Sequence, residues 1–189
     1  MRRRPALAVL ATLVGAVSGC GTRLPPSART PASVASTGTP TLDESPPLDE
    51  LPCPPADVNP ETAVCPGERD DASVAVRTNR PSVALDDAGS VRFVLENGTG
   101  DGLRFNPNNP DVYRFTGERY ELVERRSSGS GVTTVPPNGT YSWRLADLPQ
   151  FDRLSVGTFL FAVSVPTAGT MGADWVTCLA PFRLTDGRG

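Results

Sequence analysis

The chain of 189 residues contains no histidine and no lysine, so all 18 of its basic residues are arginine. Without imidazole there is no Ser-His-Asp or Cys-His arrangement, and the zinc sites built on histidine are closed as well. The four cysteines show no Cys-x-x-Cys spacing, which removes thioredoxin-like exchange and zinc ribbons. No glycine-rich phosphate loop stands between a strand pattern and a helix pattern. No window carries a helical period, and no apolar run reaches the about 20 residues that a membrane-spanning helix needs. These absences set the first expectation: a non-enzyme with no catalytic residues, no cofactor and no metal.

What is present begins with a leader. Arg2, Arg3 and Arg4 precede an uncharged apolar run over 6–17, and the run ends in Val17-Ser18-Gly19-Cys20. A basic start, a short apolar stretch and small residues before a cleavage point make a signal peptide. The last four residues resemble the lipobox of prokaryotic lipoproteins, in which an aliphatic residue and two small residues precede an acylated cysteine. The resemblance implies a signal peptide over 1–19, lipid on Cys20 and attachment to the extracellular face of the cell membrane. The plainer alternative is a secretory signal with a chance cysteine. Arg3-Arg4, directly before the apolar run, also permits twin-arginine export.

Loss of the three leader arginines takes the formal charge from −3 to about −6. An acidic mature chain argues against nucleic acid as a partner and against electrostatic docking to anionic lipid. A lysine-free, arginine-using composition is that of a GC-rich genome. The acid excess leans toward a halophile such as a haloarchaeon, with an actinobacterium as the alternative.

Between residues 20 and 50, Pro25, Pro26, Pro31, Pro40, Pro46 and Pro47 lie among Ser, Thr and Ala, with almost nothing large and apolar. Such a stretch buries too little surface to offset its ordering entropy. It reads as a disordered, lipid-anchored stalk of about 30 residues, with a reach of roughly 30 to 100 Å. Residues 51–71 form a Cys/Pro-rich entry segment, in which Cys53 and Cys65 are each followed by proline. With Cys20 acylated, Cys53, Cys65 and Cys178 are left in an oxidising compartment, where one bridge and one leftover thiol are expected. Cys53 with Cys65 closes a short loop. Cys178 with either of them is the alternative, and a free, buried Cys178 is a third outcome.

Over 72–186 the pattern changes to short apolar runs separated by Gly, Asn, Asp and Pro, the signature of successive strands. The runs are 73–78, 82–85, 90–96, 102–105, 112–115, 119–125, 132–135, 140–145, 158–165 and 174–184. Alternation puts Val91, Phe93 and Leu95 on one face, and Tyr141, Trp143 and Leu145 repeat the device. In 158–165 both faces are apolar, which marks a central strand. About 115 residues with this many strands fit one all-β domain, a single Ig-like antiparallel β-sandwich, with a small closed barrel as the alternative.

Val91-Arg92-Phe93-Val94-Leu95-Glu96-Asn97, Tyr113-Arg114-Phe115, Tyr120-Glu121-Leu122-Val123-Glu124-Arg125, Val135-Pro136-Pro137-Asn138-Gly139-Thr140 and Leu154-Ser155-Val156-Gly157-Thr158-Phe159 together resemble a group of prokaryotic Ig-like domains. The layout is similar to that of the bacillar intracellular proteinase inhibitor family and covers 85–166. Phe159 stands where that group usually has tyrosine. The resemblance implies the sandwich fold and a non-catalytic role. Inhibition is not carried over, because the leader directs the chain out of the cell.

Asn97-Gly98-Thr99 and Asn138-Gly139-Thr140 match the N-glycosylation acceptor, and both also read as Asn-Gly hairpin turns. The pairs Asp70-Asp71 and Asp86-Asp87 offer carboxylates to calcium, but no loop of alternating ligands surrounds them, and solvated surface acids are the plainer reading. Among the aromatic residues, Trp175 beside Met171 is the candidate for an exposed binding surface, while Trp143 and Tyr141 read as core. The expected partners are the membrane, through the lipid, and an envelope protein or glycan. A non-catalytic surface lipoprotein that binds or scaffolds is the first functional expectation. A subunit of an envelope enzyme or transporter, or an extracellular protease inhibitor, is the alternative.

Overall fold

A computed structural model describes residues 46–123, 129–169 and 173–188; the leader, Cys20, the stalk up to residue 45, Glu124-Arg125 and Met171 lie outside those residues. Eleven strands succeed one another among them: β1 (Ala63–Val64), β2 (Val74–Thr78), β3 (Ser82–Ala84), β4 (Arg92–Asn97), β5 (Leu103–Phe105), β6 (Asp111–Phe115), β7 (Tyr120–Leu122), β8 (Thr133–Val135), β9 (Thr140–Arg144), β10 (Gly157–Pro166) and β11 (Trp175–Thr185). The helical turns among them are short 3₁₀ pieces, the longest being Leu85–Ser90. Recurrent proline and glycine leave no room for longer ones.

The strands form an all-β sandwich. One sheet has the order β2-β4-β9, all antiparallel, and the other runs β11-β10-β6-β7. The free edge of β11 is taken by two short parallel strands, with β1 opposite Thr177 and Cys178 and β3 opposite Arg183, Leu184 and Thr185. β5 and β8 make a separate ribbon. If β2, β4, β6, β7, β9, β10 and β11 are lettered A, B, C, C′, E, F and G, the orders are A-B-E and G-F-C-C′. That is the strand order of an immunoglobulin-type sandwich.

Period-two patterning builds the core. In β4, Phe93, Leu95 and Asn97 are buried while Arg92 is exposed, and β10 sends Phe159, Phe161, Val163 and Val165 to meet them from the other sheet. Phe93 and Phe161 stack across the sandwich with centroids 4.1 Å apart and planes 7° from parallel. Phe182 closes on Phe93 edge-on at 5.2 Å, and Trp143 tilts against Phe161 at 5.3 Å. Antibody domains place an inter-sheet disulfide between strands B and F, with a tryptophan on C. Here two phenylalanines join B and F, and the tryptophan is on E. Its indole Nε1 donates to the Pro107 carbonyl at 2.7 Å, so the buried ring keeps its polar handle satisfied.

β10 is apolar on its other face as well, because that face is also covered. Tyr113, Leu160, Ala162 and Leu179 form a second cluster beneath Cys53, Val58, Ala63 and Cys65 of the entry segment. That segment is a strap across the outside of the sheet. A Cys53–Cys65 disulfide closes it over a separation of 12 residues, and Asn59 caps its first 3₁₀ turn by accepting from the Glu61 amide at 3.0 Å. In the second turn, Glu68 Oε2 takes the Cys65 amide at 3.0 Å. The chain reaches the strap from the Arg183 end of β11, where the guanidinium donates to the Pro46 carbonyl and to Thr158 Oγ1.

The ring stack predicts a large cost for its removal. Phe161→Ala should lose about 3 to 5 kcal/mol, read as an unchanged denaturant m-value with a lowered midpoint. A loss below about 1 kcal/mol would show that the stack is dispensable.

Candidate functional site

On the outer face of the β10–β11 pair, side chains alternate with those that enter the core, and the register sets Leu160 opposite Pro181, Ala162 opposite Leu179, Ser164 opposite Thr177 and Pro166 opposite Trp175. Along this row the surface changes from apolar to polar. The strap covers the Leu160 and Leu179 end. Beyond it the sheet opens into a groove of about 240 Å³ with Ala162, Ser164 and Thr177 on its floor. Asp57, Val58, Asn59 and Thr62 of the strap form one wall, and Asn109, Asp111 and Tyr113 form the other. The Tyr113 hydroxyl donates to Asp57 Oδ2 at 3.1 Å, tying strap to sheet, and the Ser164 and Thr177 hydroxyls meet at 3.0 Å.

Trp175 lies next along the same face. It is two residues from Thr177, so strand alternation puts both on the outer side, while Val176 and Cys178 pack inward. Its indole is 51% exposed, whereas Trp143 is buried. Tyr113 is buried with its hydroxyl at the groove wall.

Cys53 and Cys65 are bonded to each other, and Cys178 is free and buried on the core side of β11. Its Sγ donates to the Val74 carbonyl at 3.5 Å, and burial pushes the thiol pKa up to about 12. It therefore stays protonated and unreactive at neutral pH. Cys20 lies outside the described residues.

The reading of Asn97 as a glycosylation acceptor or hairpin turn needs correction. Asn97 ends β4, which pairs with β2 and β9 and makes no hairpin with β5, the next strand in the chain. Its side chain is 2% exposed, and Nδ2 shares its hydrogens among the carbonyls of Asp101 at 2.8 Å, Pro136 at 2.9 Å and Val135 at 3.1 Å. Oδ1 accepts from Thr99 N at 3.0 Å and Thr99 Oγ1 at 2.6 Å. A glycan on Nδ2 would break the clamp, so the folded domain offers no acceptor there. A Cβ at position 98 would lie 3.0 Å from the Ser73 carbonyl oxygen, so a larger residue there would have to push that backbone back by a few tenths of an ångström.

Asn138 is exposed, with φ of 57°. Pro137 precedes it and Gly139 N donates back to the Pro136 carbonyl at 2.9 Å, which makes a type II turn. The turn joins β8 to β9, strands of different sheets, so it too is not a hairpin. Its amide remains accessible as the sequon of the pair.

The acidic pairs are not brought together. Asp70 is engaged by Arg77, whose fork also holds Glu96, both at 2.8 Å, and this lowers the Asp70 pKa. Asp86 and Asp87 start the 3₁₀ turn Leu85–Ser90. Among the described residues no cluster of three metal-ligating side chains occurs, and no helix is long and apolar enough to cross a membrane. The groove residues Asp57, Asn109, Asp111, Ser164 and Thr177 were not anticipated from sequence. They come from four separate segments and share no spacing. The chain matches no known family model and no curated protein.

Two outcomes are expected. Asn97→Ala, which removes three hydrogen bonds to carbonyls, should cost about 3 kcal/mol at roughly 1 kcal/mol per bond, seen in thermal or denaturant unfolding. In a Cys20→Ser protein kept free of reductant, maleimide should add nothing to the native chain and one adduct, on Cys178, in denaturant. Labelling of the native chain would contradict the buried thiol.

Proposed function

We propose that this protein is a lipid-anchored module on the outer face of a prokaryotic cell membrane that acts by binding, not catalysis, with an Ig-like sandwich as the contact domain and the Trp175 end of its β10–β11 face as the contact surface. The observation that carries this reading is the placement of the two ends of that face. The chain enters beside Arg183, and Trp175 stands eight residues away along β11, about 26 Å at strand rise. The Val17-Ser18-Gly19-Cys20 leader supplies the anchor, and 20–50 supplies the tether. The Cys53–Cys65 disulfide supports the address, since such bonds persist where the compartment is oxidising.

Two acyl chains, at about 0.8 kcal/mol per buried CH₂, hold a protein stably on a bilayer. Replacing Cys20 removes both. Cys20→Ser should move the protein from the membrane fraction to the medium or wash, and the wild-type N-terminal peptide should carry a diacylglyceryl mass. Retention of Cys20→Ser on membranes, or an unmodified Cys20, would end the anchor reading.

A further inference from the structure

We infer that the groove floored by Ser164 and Thr177, with Trp175 at its rim, is a binding site for a neutral glycan. The inference rests on the binding role proposed above and names its ligand class. Three observations converge on one strip of sheet.

The first is volume. About 240 Å³ of open groove is room for a single pyranose ring, and toward Trp175 the face continues as a surface along which a further ring can lie. The second is the polar lining. Asp57 and Asp111 contribute carboxylates, Asn59 and Asn109 carboxamides, Ser164 and Thr177 hydroxyls. Among the described residues no cation lines it, and phosphates, sulfated sugars and uronates are disfavoured by charge. Carboxylates only accept, whereas amides and hydroxyls both donate and accept. A sugar hydroxyl also does both, and so matches the whole set. A guanidinium or ammonium offers donors alone and brings no acceptor for the amide N–H groups. The mixed lining therefore favours a sugar over a basic peptide.

The third observation is Trp175. A half-exposed indole on the face that continues the groove is the surface on which the apolar C–H side of a pyranose packs, while its hydroxyls turn toward polar groups. The strap completes the site. Asp57 and Asn59 belong to the segment that the Cys53–Cys65 disulfide closes, and Tyr113 holds Asp57 from below. The oxidised strap thus forms one wall of the groove as well as a lid on the apolar cluster.

The test uses the full mature chain carrying Cys20→Ser, so that its outcome is independent of lipidation. It is titrated with manno-, cello- and chito-oligosaccharides, with polygalacturonate and an arginine-rich peptide as charged comparisons. Expected is a saturable change in tryptophan emission with at least one neutral oligosaccharide and none with polygalacturonate. Trp175→Ala should remove the optical change and weaken binding, measured calorimetrically, by about tenfold. Thr177→Val, which deletes one hydroxyl and keeps the β-branched shape, should weaken it without altering the unfolding midpoint. Absence of saturable binding to all the neutral oligosaccharides overturns the inference. Tighter binding of the arginine-rich peptide than of any sugar overturns it in favour of a cationic partner. Equal affinity of Trp175→Ala, Thr177→Val and the parent places the ligand elsewhere and also overturns it.

Discussion

The structure depends on burying a strand that is apolar on both sides. β10 presents Phe159, Phe161, Val163 and Val165 to the opposing sheet and Leu160 and Ala162 to the outside. Each large side chain left in water would forgo roughly 1.5 to 3 kcal/mol. The facing sheet solves one half of that problem by ordinary sandwich packing. The other half falls to the strap, which has little regular structure of its own and is held by a disulfide, a tyrosine hydroxyl and two capped turns. Where the strap ends, the outer face becomes polar, and the groove begins at that boundary. Site and strap are therefore consequences of the same requirement.

Within the sandwich, aromatic contact occupies the place where antibody domains use a covalent bond. Phe93 and Phe161 join the B and F strands face to face, and Phe159, two residues earlier on F, stands where a tyrosine corner would put its hydroxyl. With no hydroxyl to bond, the Phe159 ring stacks on Phe182 at 5.3 Å and lies 6.0 Å from the Arg114 guanidinium. The E–F corner is instead built from short 3₁₀ turns, Leu145–Asp147 and Phe151–Arg153, closed by backbone bonds. At the far end of the B strand, Asn97 ties the chain to Pro136 and Asp101.

Much of the fold was legible because strands alternate. Every run read from sequence over 73–184 overlaps a strand, and the two-sided run at 158–165 is the central β10. What escaped was non-periodic. β1 is two residues long, and its partner and that of β3 lie more than a hundred residues away on β11. The strap is proline-rich, so its role in covering Leu160 and Leu179 left no pattern to read. Asn97 shows why a motif can mislead. Three residues matched both a sequon and a turn, but the carboxamide is spent on carbonyls at positions 101, 135 and 136, which only the tertiary fold brings near. Trp175 was singled out because it opens the last strand beside Met171. Its neighbours in the groove come from segments as distant as Asp57 and Thr177, and no linear pattern joins them.

The split between a ring-stacked interior and a disulfide-closed exterior gives the molecule two apolar layers, one on each face of β10. Opening the strap uncovers the outer face of β10 and β11 but leaves the Phe93–Phe161 contact intact. Strap and sandwich belong to one compact unit, in which each covers its own face of β10. The groove wall at Asp57 and Asn59 belongs to the strap and the floor at Ser164 and Thr177 to the sheet. A molecule seated between them would bridge strap and sheet, and its occupancy would be recorded as slowed exchange in strap residues that it does not itself touch.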